Sequence, residues 1–260
     1  MLRLLKFLLL FSLFFVSCRS KNKVEQPMIK DFDLLQRANN DYTTIDLEHA
    51  EELAYRELID SIRYISLGDE CGVMGNIANI ITYKGRFYIQ EEQFDRVFIY
   101  DDTGRCLKKI DNKGRGPGEY LRIESIDINT EKEELMLVDG MSDKLFFYDL
   151  DGNFKSIHSI RYFQTENTLC LRDSVFLHIS APSQNFGNEG LYGYALVLSK
   201  GNENFLKGYR YLPLQVGYKG GGQIFKGYER SCYHPIYSDT IYQILSDTTY
   251  GPIFYFKINT

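Results

Sequence analysis

Two stretches of this chain repeat one another at an offset of 48 residues. Across residues 86–110 and 134–158, Asp95 falls on Asp143, Phe98 on Phe146, Tyr100 on Tyr148, Asp101 on Asp149 and Gly104 on Gly152. Arg96 over Lys144, Val97 over Leu145 and Glu91 over Asp139 are conservative matches. A unit of this length, built of short apolar strands, needs neighbours of its own kind to bury its faces. The period therefore predicts radial β-repeats.

Strand and turn signals fill in the units. Residues 77–83, 86–91, 96–101 and 105–110 read as four strands, with Lys84-Gly85 and Asp102-Thr-Gly104 between them. Residues 123–128, 134–139, 144–150 and 153–160 repeat the pattern, turning at Asp151-Gly152. Gly104 and Gly152 supply the positive φ such hairpins require. A third, diverged unit shows strands at 174–180, 192–199 and 205–212, with a Gly/Asn-rich loop over 181–190. A fourth begins near Lys219-Gly-Gly-Gly222, and its Asp239-Thr-Ile-Tyr242 lies 96 residues beyond Asp143-Lys-Leu-Phe146. The expected fold is all-β, a propeller of about four blades, each a four-stranded antiparallel sheet. Residues 59–67 alternate like a first strand, whereas 19–40 are polar tether with a weak helical pattern and 48–55 an exposed helical turn or two.

The N-terminus carries an address. Arg3 and Lys6 precede an apolar run over 7–16 that is too short for a comfortable membrane span, then Ser17-Cys18. Residues 1–17 read as a signal peptide, Cys18 as a lipid anchor within a lipobox-like Phe15-Val-Ser-Cys18, 18–42 as the tether and 43–260 as the propeller. The expected location is the cell envelope, periplasm-facing, with the membrane as a partner through the lipid. Without Arg3 and Lys6, 28 Lys+Arg face 35 Asp+Glu, a net charge of −7. That balance argues against a nucleic-acid partner. Cys71, Cys106, Cys170 and Cys232 show no C-x-x-C spacing, and buried free thiols and three possible pairings both remain open.

The connection Asp111-Asn-Lys-Gly-Arg-Gly-Pro-Gly-Glu-Tyr120 crosses from the first repeat to the second. Gly116, Pro117 and Gly118 shape its turn. Arg115, Glu119 and Tyr120 are the ligand-binding candidates: a planar cation, a carboxylate and an aromatic platform for a sugar or peptide. The structural alternative is a latch in which Arg115 pairs with Glu119. Asp95, Asp143 and Asp239 precede the third strand of their units and are expected to cap the turn there. The glycine run lacks the P-loop ending and the dinucleotide spacing. Asp149-x-Asp151-Gly-Asn153 has its glycine too early for a calcium loop and reads as a hairpin. His49, His158, His178 and His234 are scattered, so no metal, cofactor or catalytic residue is assigned.

Leu58-Ile-Asp-Ser-Ile-Arg-Tyr-Ile65, the Phe87-Tyr-Ile to Phe98-Ile-Tyr-Asp-Asp-Thr-Gly104 blade and Lys113-Gly-Arg-Gly-Pro-Gly-Glu-Tyr120 together resemble the six-bladed β-propeller lipoproteins of Bacteroidetes, relatives of NHL-repeat propellers. The likeness spans roughly residues 43–260 and implies fold and export. Four countable blades instead of six suggest a truncated member, or one that closes with fewer. The function expected is a binding or scaffold module for an envelope glycan, peptide or protein, without catalysis. The alternatives are a propeller lyase or hydrolase with an axial-channel metal, and a non-functional fragment.

Overall fold

The computed structural model describes residues 33–34, 36–38, 41–48, 59–160, 164–172, 174–180, 193–201, 204–210, 222–226, 230–236, 238–246 and 249–257. Three short strands come first: β1 (Asp33–Leu34), β2 (Gln36–Arg37) and β3 (Thr43–Asp46). Blade 1 follows as β4 (Ile77–Tyr83), β5 (Arg86–Glu91), β6 (Arg96–Asp101) and β7 (Cys106–Ile110). Blade 2 is β8 (Ser125–Asn129), β9 (Glu134–Asp139), β10 (Lys144–Asp149) and β11 (Phe154–Ser159). Blade 3 is β12 (Asn167–Arg172), β13 (Val175–Ile179), β14 (Tyr194–Lys200) and β15 (Asn204–Arg210). Blade 4 is β16 (Gln223–Lys226), β17 (Ser231–His234), β18 (Thr240–Ile244) and β19 (Thr249–Lys257).

Within every blade the strands pair antiparallel in chain order, so each blade is a meander with its first strand at the axis and its last at the rim. The chain is a β-propeller of about four blades. β1 adds parallel to β15, and β2 and β3 add parallel to β19.

The middle strands read as unbroken apolar runs because both of their faces are covered. In β6, Val97 and Ile99 face blade 2, joining Tyr88, Leu135, Leu137, Phe146 and Tyr148 in one core. Phe98 and Tyr100 point the other way, where Cys71 and Met74 pack on them. β10 repeats the arrangement: Phe146 and Tyr148 face blade 1, while Leu145 and Phe147 meet Phe176 and Cys170 of blade 3. Each such side chain contributes roughly 1.5–3 kcal/mol by leaving water. Blade spacing is set tightly at Gly152 (φ 80°), where an added Cβ would lie 2.9 Å from the Ile99 and Lys108 side chains of blade 1.

Several expectations change. Residues 59–67 form no strand: Ile62 and Tyr64 are exposed, and nothing in the segment joins a ladder. The segment instead crosses the β6–β7 turn, where Gly68 N–H donates to the Gly104 carbonyl at 2.7 Å and Tyr100 Oη–H to that of Gly68 at 3.2 Å. Its alternation is that of a strand, but the contacts on offer are a turn and a sheet face, which provide no edge. The tether is likewise not uniformly irregular, since β1 and β2 fall inside it and take up unpaired edges of β15 and β19. Residues 49–55 and 181–190 lie outside the described residues. Cys71 and Cys106 form a disulfide that pins the 59–76 segment to β7, and among the described residues Cys170 and Cys232 are the buried cysteines outside a disulfide.

Candidate functional site

The crossing from β7 to β8 is a latch, built differently from the pairing expected of it. Tyr120 is buried, with its ring edge-on to Phe146 at 6.0 Å. Its hydroxyl donates to the Asp95 carbonyl at 2.8 Å and accepts from Asn112 N–H at 3.2 Å. Burial pushes the phenol well above its ordinary pKa. Tyr120 is therefore no platform for a ligand. The Asp95 carboxylate receives the Lys113 ammonium and, at 3.1 Å, the Ile123 amide. Glu119 folds back on its own loop, accepting from Gly116 N–H at 2.6 Å. A Cβ at Gly114 would lie 1.9 Å from that carboxylate, so a side chain there would displace Glu119 from its turn. Arg115 is exposed, and among the described residues no ion pair joins it to Glu119.

The recurrent aspartates divide their labour unexpectedly. Asp95 and Asp143 adopt left-handed backbone, φ 56° and 53°, which aspartate tolerates better than most residues. The turn between second and third strands is capped from the preceding strand end. Glu91 accepts from Phe94 N–H at 3.3 Å, and Asp139 from Met141 and Ser142 N–H at 3.1 Å. Asp143 and Asp239 act through their carbonyls, each receiving an amide of its blade's last strand region (Ile160, Phe256) at 2.8 Å. The hairpin caps are Asp101 and Asp149, whose carboxylates accept from Thr103 and Arg105 N–H and from Asp151 and Asn153 N–H. Those bonds hold Asp101 down at about 2, the Thr103 hydroxyl contributing most. The Asp149 carboxylate is thus spent on its own turn.

The concave site lies on the axis. A cavity of about 1060 Å³ is walled by the inner strands β4, β8, β12 and β16, with Gln90 reaching in from β5. Asn79, Gln90, Asn167 and Gln223 present side-chain amides, Glu124, Asp127 and Glu166 carboxylates, and Lys226 an ammonium. Arg115 and Glu119 are not among its lining residues. Lys226 Nζ donates to the Cys170 carbonyl at 2.7 Å and the Ile128 carbonyl at 3.0 Å, and lies 3.4 Å from Asp127 Oδ2. It so ties blade 4 to blades 2 and 3. Asp127 also accepts the Cys170 amide at 2.7 Å. Desolvation nevertheless raises its pKa against the pull of Lys226. Glu124 is raised too, by burial first and then by Asp95, Asp139 and Glu166, with Arg122 opposing.

Asn167 Oδ1 is buried at this wall and makes no hydrogen bond. The described histidines sit elsewhere. His158 is on the rim, His234 bonds the Ser238 carbonyl at 2.8 Å, and His178 is buried between Thr168 and Ser199 at 2.9 and 2.7 Å. Inner-strand residues from four blades escape sequence reading because nothing in their spacing joins them. Only the topology does.

A family model, "Domain of unknown function (DUF4934)", matches residues 42–260. The chain belongs to that family. DUF4934 here covers the whole blade array and β3. The sequence matches none of the curated proteins. Among solved structures, a Bacteroides fragilis protein described as exported shares 21% identity and a TM-score of 0.70, covering 83% of this chain and 60% of its own. This chain thus spans well under two thirds of that structure's length. Virginiamycin B lyase from Staphylococcus aureus, at 9% identity and TM-score 0.45, covers 68% of this chain and 55% of its own. BamB from Moraxella catarrhalis, at 12% and 0.42, covers 67% and 46%. Likeness at this distance concerns fold and says nothing of activity.

Proposed function

We propose that this DUF4934 chain is an exported, lipid-anchored propeller that binds a glycan in its axial cavity. The observation that carries the reading is the set of side-chain amides, Asn79, Gln90, Asn167 and Gln223, brought together at the wall of one cavity. The neighbouring amides of Asn79 and Gln223 offer both donors and acceptors, the mixed set that a polyhydroxylated sugar matches. Glu124 and Glu166 disfavour a polyanionic ligand. The lipid on Cys18, outside the described residues, would hold the cavity near the envelope glycans it samples.

The test is titration calorimetry of the mature chain against envelope glycan fragments, followed by Asn167→Leu and Gln223→Ala. A binder whose affinity falls at least tenfold in both variants, with the thermal midpoint retained, supports the site. Binding indifferent to both, yet lost in Arg115→Ala, would move recognition to the loop crossing the blades.

A further inference from the structure

Strand register fixes which side chains of the two terminal blades face away from their neighbours. In blade 1, Ile81 pairs with Tyr88 and Tyr88 with Ile99, the row that packs on blade 2. The alternate row, Ile80 with Ile89 and Phe98, looks the other way. In blade 4, Ile224 pairs with Tyr233 and Tyr233 with Tyr242 against blade 3, which turns Gln223 and Phe225 away from blade 3. Ile80, Gln223 and Phe225 all line the axial cavity. Ile80 is 50% exposed and Phe225 43%, whereas Ile126 and Ile128 on the inner strand of blade 2 are buried. One exposed apolar side chain is ordinary. Two of them, lining an amide-walled cavity from different blades, give it the mixed apolar and polar lining of a small-molecule site.

We propose that Phe225 is the stacking platform of this site and reads the apolar face of a pyranose ring, while Gln223, on the same face of β16, bonds that ring's hydroxyls. This rests on the glycan reading of the cavity and narrows it to sugars of one shape. A pyranose with equatorial hydroxyls presents axial C–H bonds above and below the ring, and their partial positive charge suits the negative face of a phenyl group. Its hydroxyls project from the ring edge, where side-chain amides can both donate to them and accept from them. A furanose instead carries hydroxyl and hydroxymethyl groups above and below its ring. It could satisfy the amides without covering Phe225.

The chain has no tryptophan, so Phe225→Trp places a single reporter at the site. The probes are a tetramer of β-1,4-linked N-acetylglucosamine and, as control, a fructofuranose tetramer. Indole emission of the full mature Phe225→Trp chain should move to the blue with the pyranose tetramer and stay unchanged with the furanose one. Phe94→Trp, on an exposed turn outside the cavity lining, should respond to neither. In calorimetry Phe225→Ala should weaken the pyranose tetramer about tenfold or more and Phe225→Tyr should retain the wild-type affinity, both with the thermal midpoint kept. Affinity unchanged in Phe225→Ala, while Asn167→Leu and Gln223→Ala still weaken binding, would overturn the platform and leave the glycan site standing. So would equal affinity for the two tetramers, or no binding of the pyranose one. The glycan reading itself falls only if no envelope fragment binds the wild-type chain. Emission already that of a buried indole in the dilute free chain, or moving with protein concentration alone, would show Phe225 covered by its own chain or by a second copy. Either result would overturn the proposal.

Discussion

Tyr120 and Asp95 meet across the joint between blades 1 and 2, the buried hydroxyl donating to the main-chain carbonyl at 2.8 Å. The same hydroxyl accepts the Asn112 amide, so one atom serves both the loop and the blade it crosses. Tyr120→Phe keeps the ring against Phe146 but strands one donor and one acceptor, a loss of about 1–3 kcal/mol. Tyr120→Ala also opens a cavity and should cost about 3–5 kcal/mol. Urea midpoints with unchanged m-values would show both losses in that order; a Tyr120→Phe midpoint equal to that of the wild type would mean the hydroxyl contributes nothing.

The Cys71–Cys106 bridge closes a loop with a sequence separation of 35. Restricting the unfolded chain over that length is worth about 4 kcal/mol in the chain-entropy model. Reductant should lower the denaturation midpoint of the oxidised protein, and a Cys71→Ser/Cys106→Ser variant should show the lowered midpoint with or without reductant. A wild-type midpoint insensitive to reductant at full thiol release would contradict this.

Burial drives the His178 pKa down to about 3, and its ring nitrogens are engaged by Thr168 and Ser199. The unfolded chain takes up this proton near 6.5 and the folded chain only near 3, so stability is whole above pH 6.5 and falls as pH drops. The slope from this residue is at most about 1.4 kcal/mol per pH unit. His158, also lowered by burial, acts in the same sense. Asp127, Glu124 and Asp143, raised by burial, act in the opposite sense below their folded pKa values. The difference between wild type and His178→Gln isolates the residue: the variant should lose less stability between pH 7 and 4. Parallel profiles would refute the assignment.

What could be read from the chain and what could not separate along one physical line. The hairpin glycines Gly104 and Gly152 were legible because turn chemistry is local, and their φ values of 90° and 80° are what the turns demand. The blades themselves were legible because buried strands such as β6 and β10 are apolar on both faces. Asp95 was misread because its partners, Lys113, Tyr120 and Ile123, belong to the next connection, and a sequence offset carries no sign of that reach. β12 was missed because its Asn167, Thr168 and Cys170 serve the axis and a buried polar network instead of supplying an apolar pattern. The axial cavity assembles from inner strands a blade apart, and the Cys71–Cys106 pairing from a segment folded over its own blade. Neither leaves a motif.

The Lys226–Asp127 pair yields the sharpest separation between stability and recognition. The Asp127 side chain is 6% exposed and that of Lys226 27%, so the carboxylate is the more deeply buried partner of the pair. Lys226→Met removes the cation paired with a buried carboxylate and the ammonium's hydrogen bonds to the Ile128 and Cys170 carbonyls. Breaking one side of such a pair typically costs about 3–5 kcal/mol. Asp127→Asn alone should cost less, because the side-chain oxygen still accepts the Cys170 amide. In the double variant the charge penalty disappears, so its loss should fall below that of Lys226→Met, giving a coupling of about 1 kcal/mol or more. Additive losses in denaturant titrations would show that the two groups are neighbours without being partners. If, in addition, the stable double variant still binds the glycan identified by calorimetry, the ammonium holds blades 2, 3 and 4 together and the amides alone read the ligand.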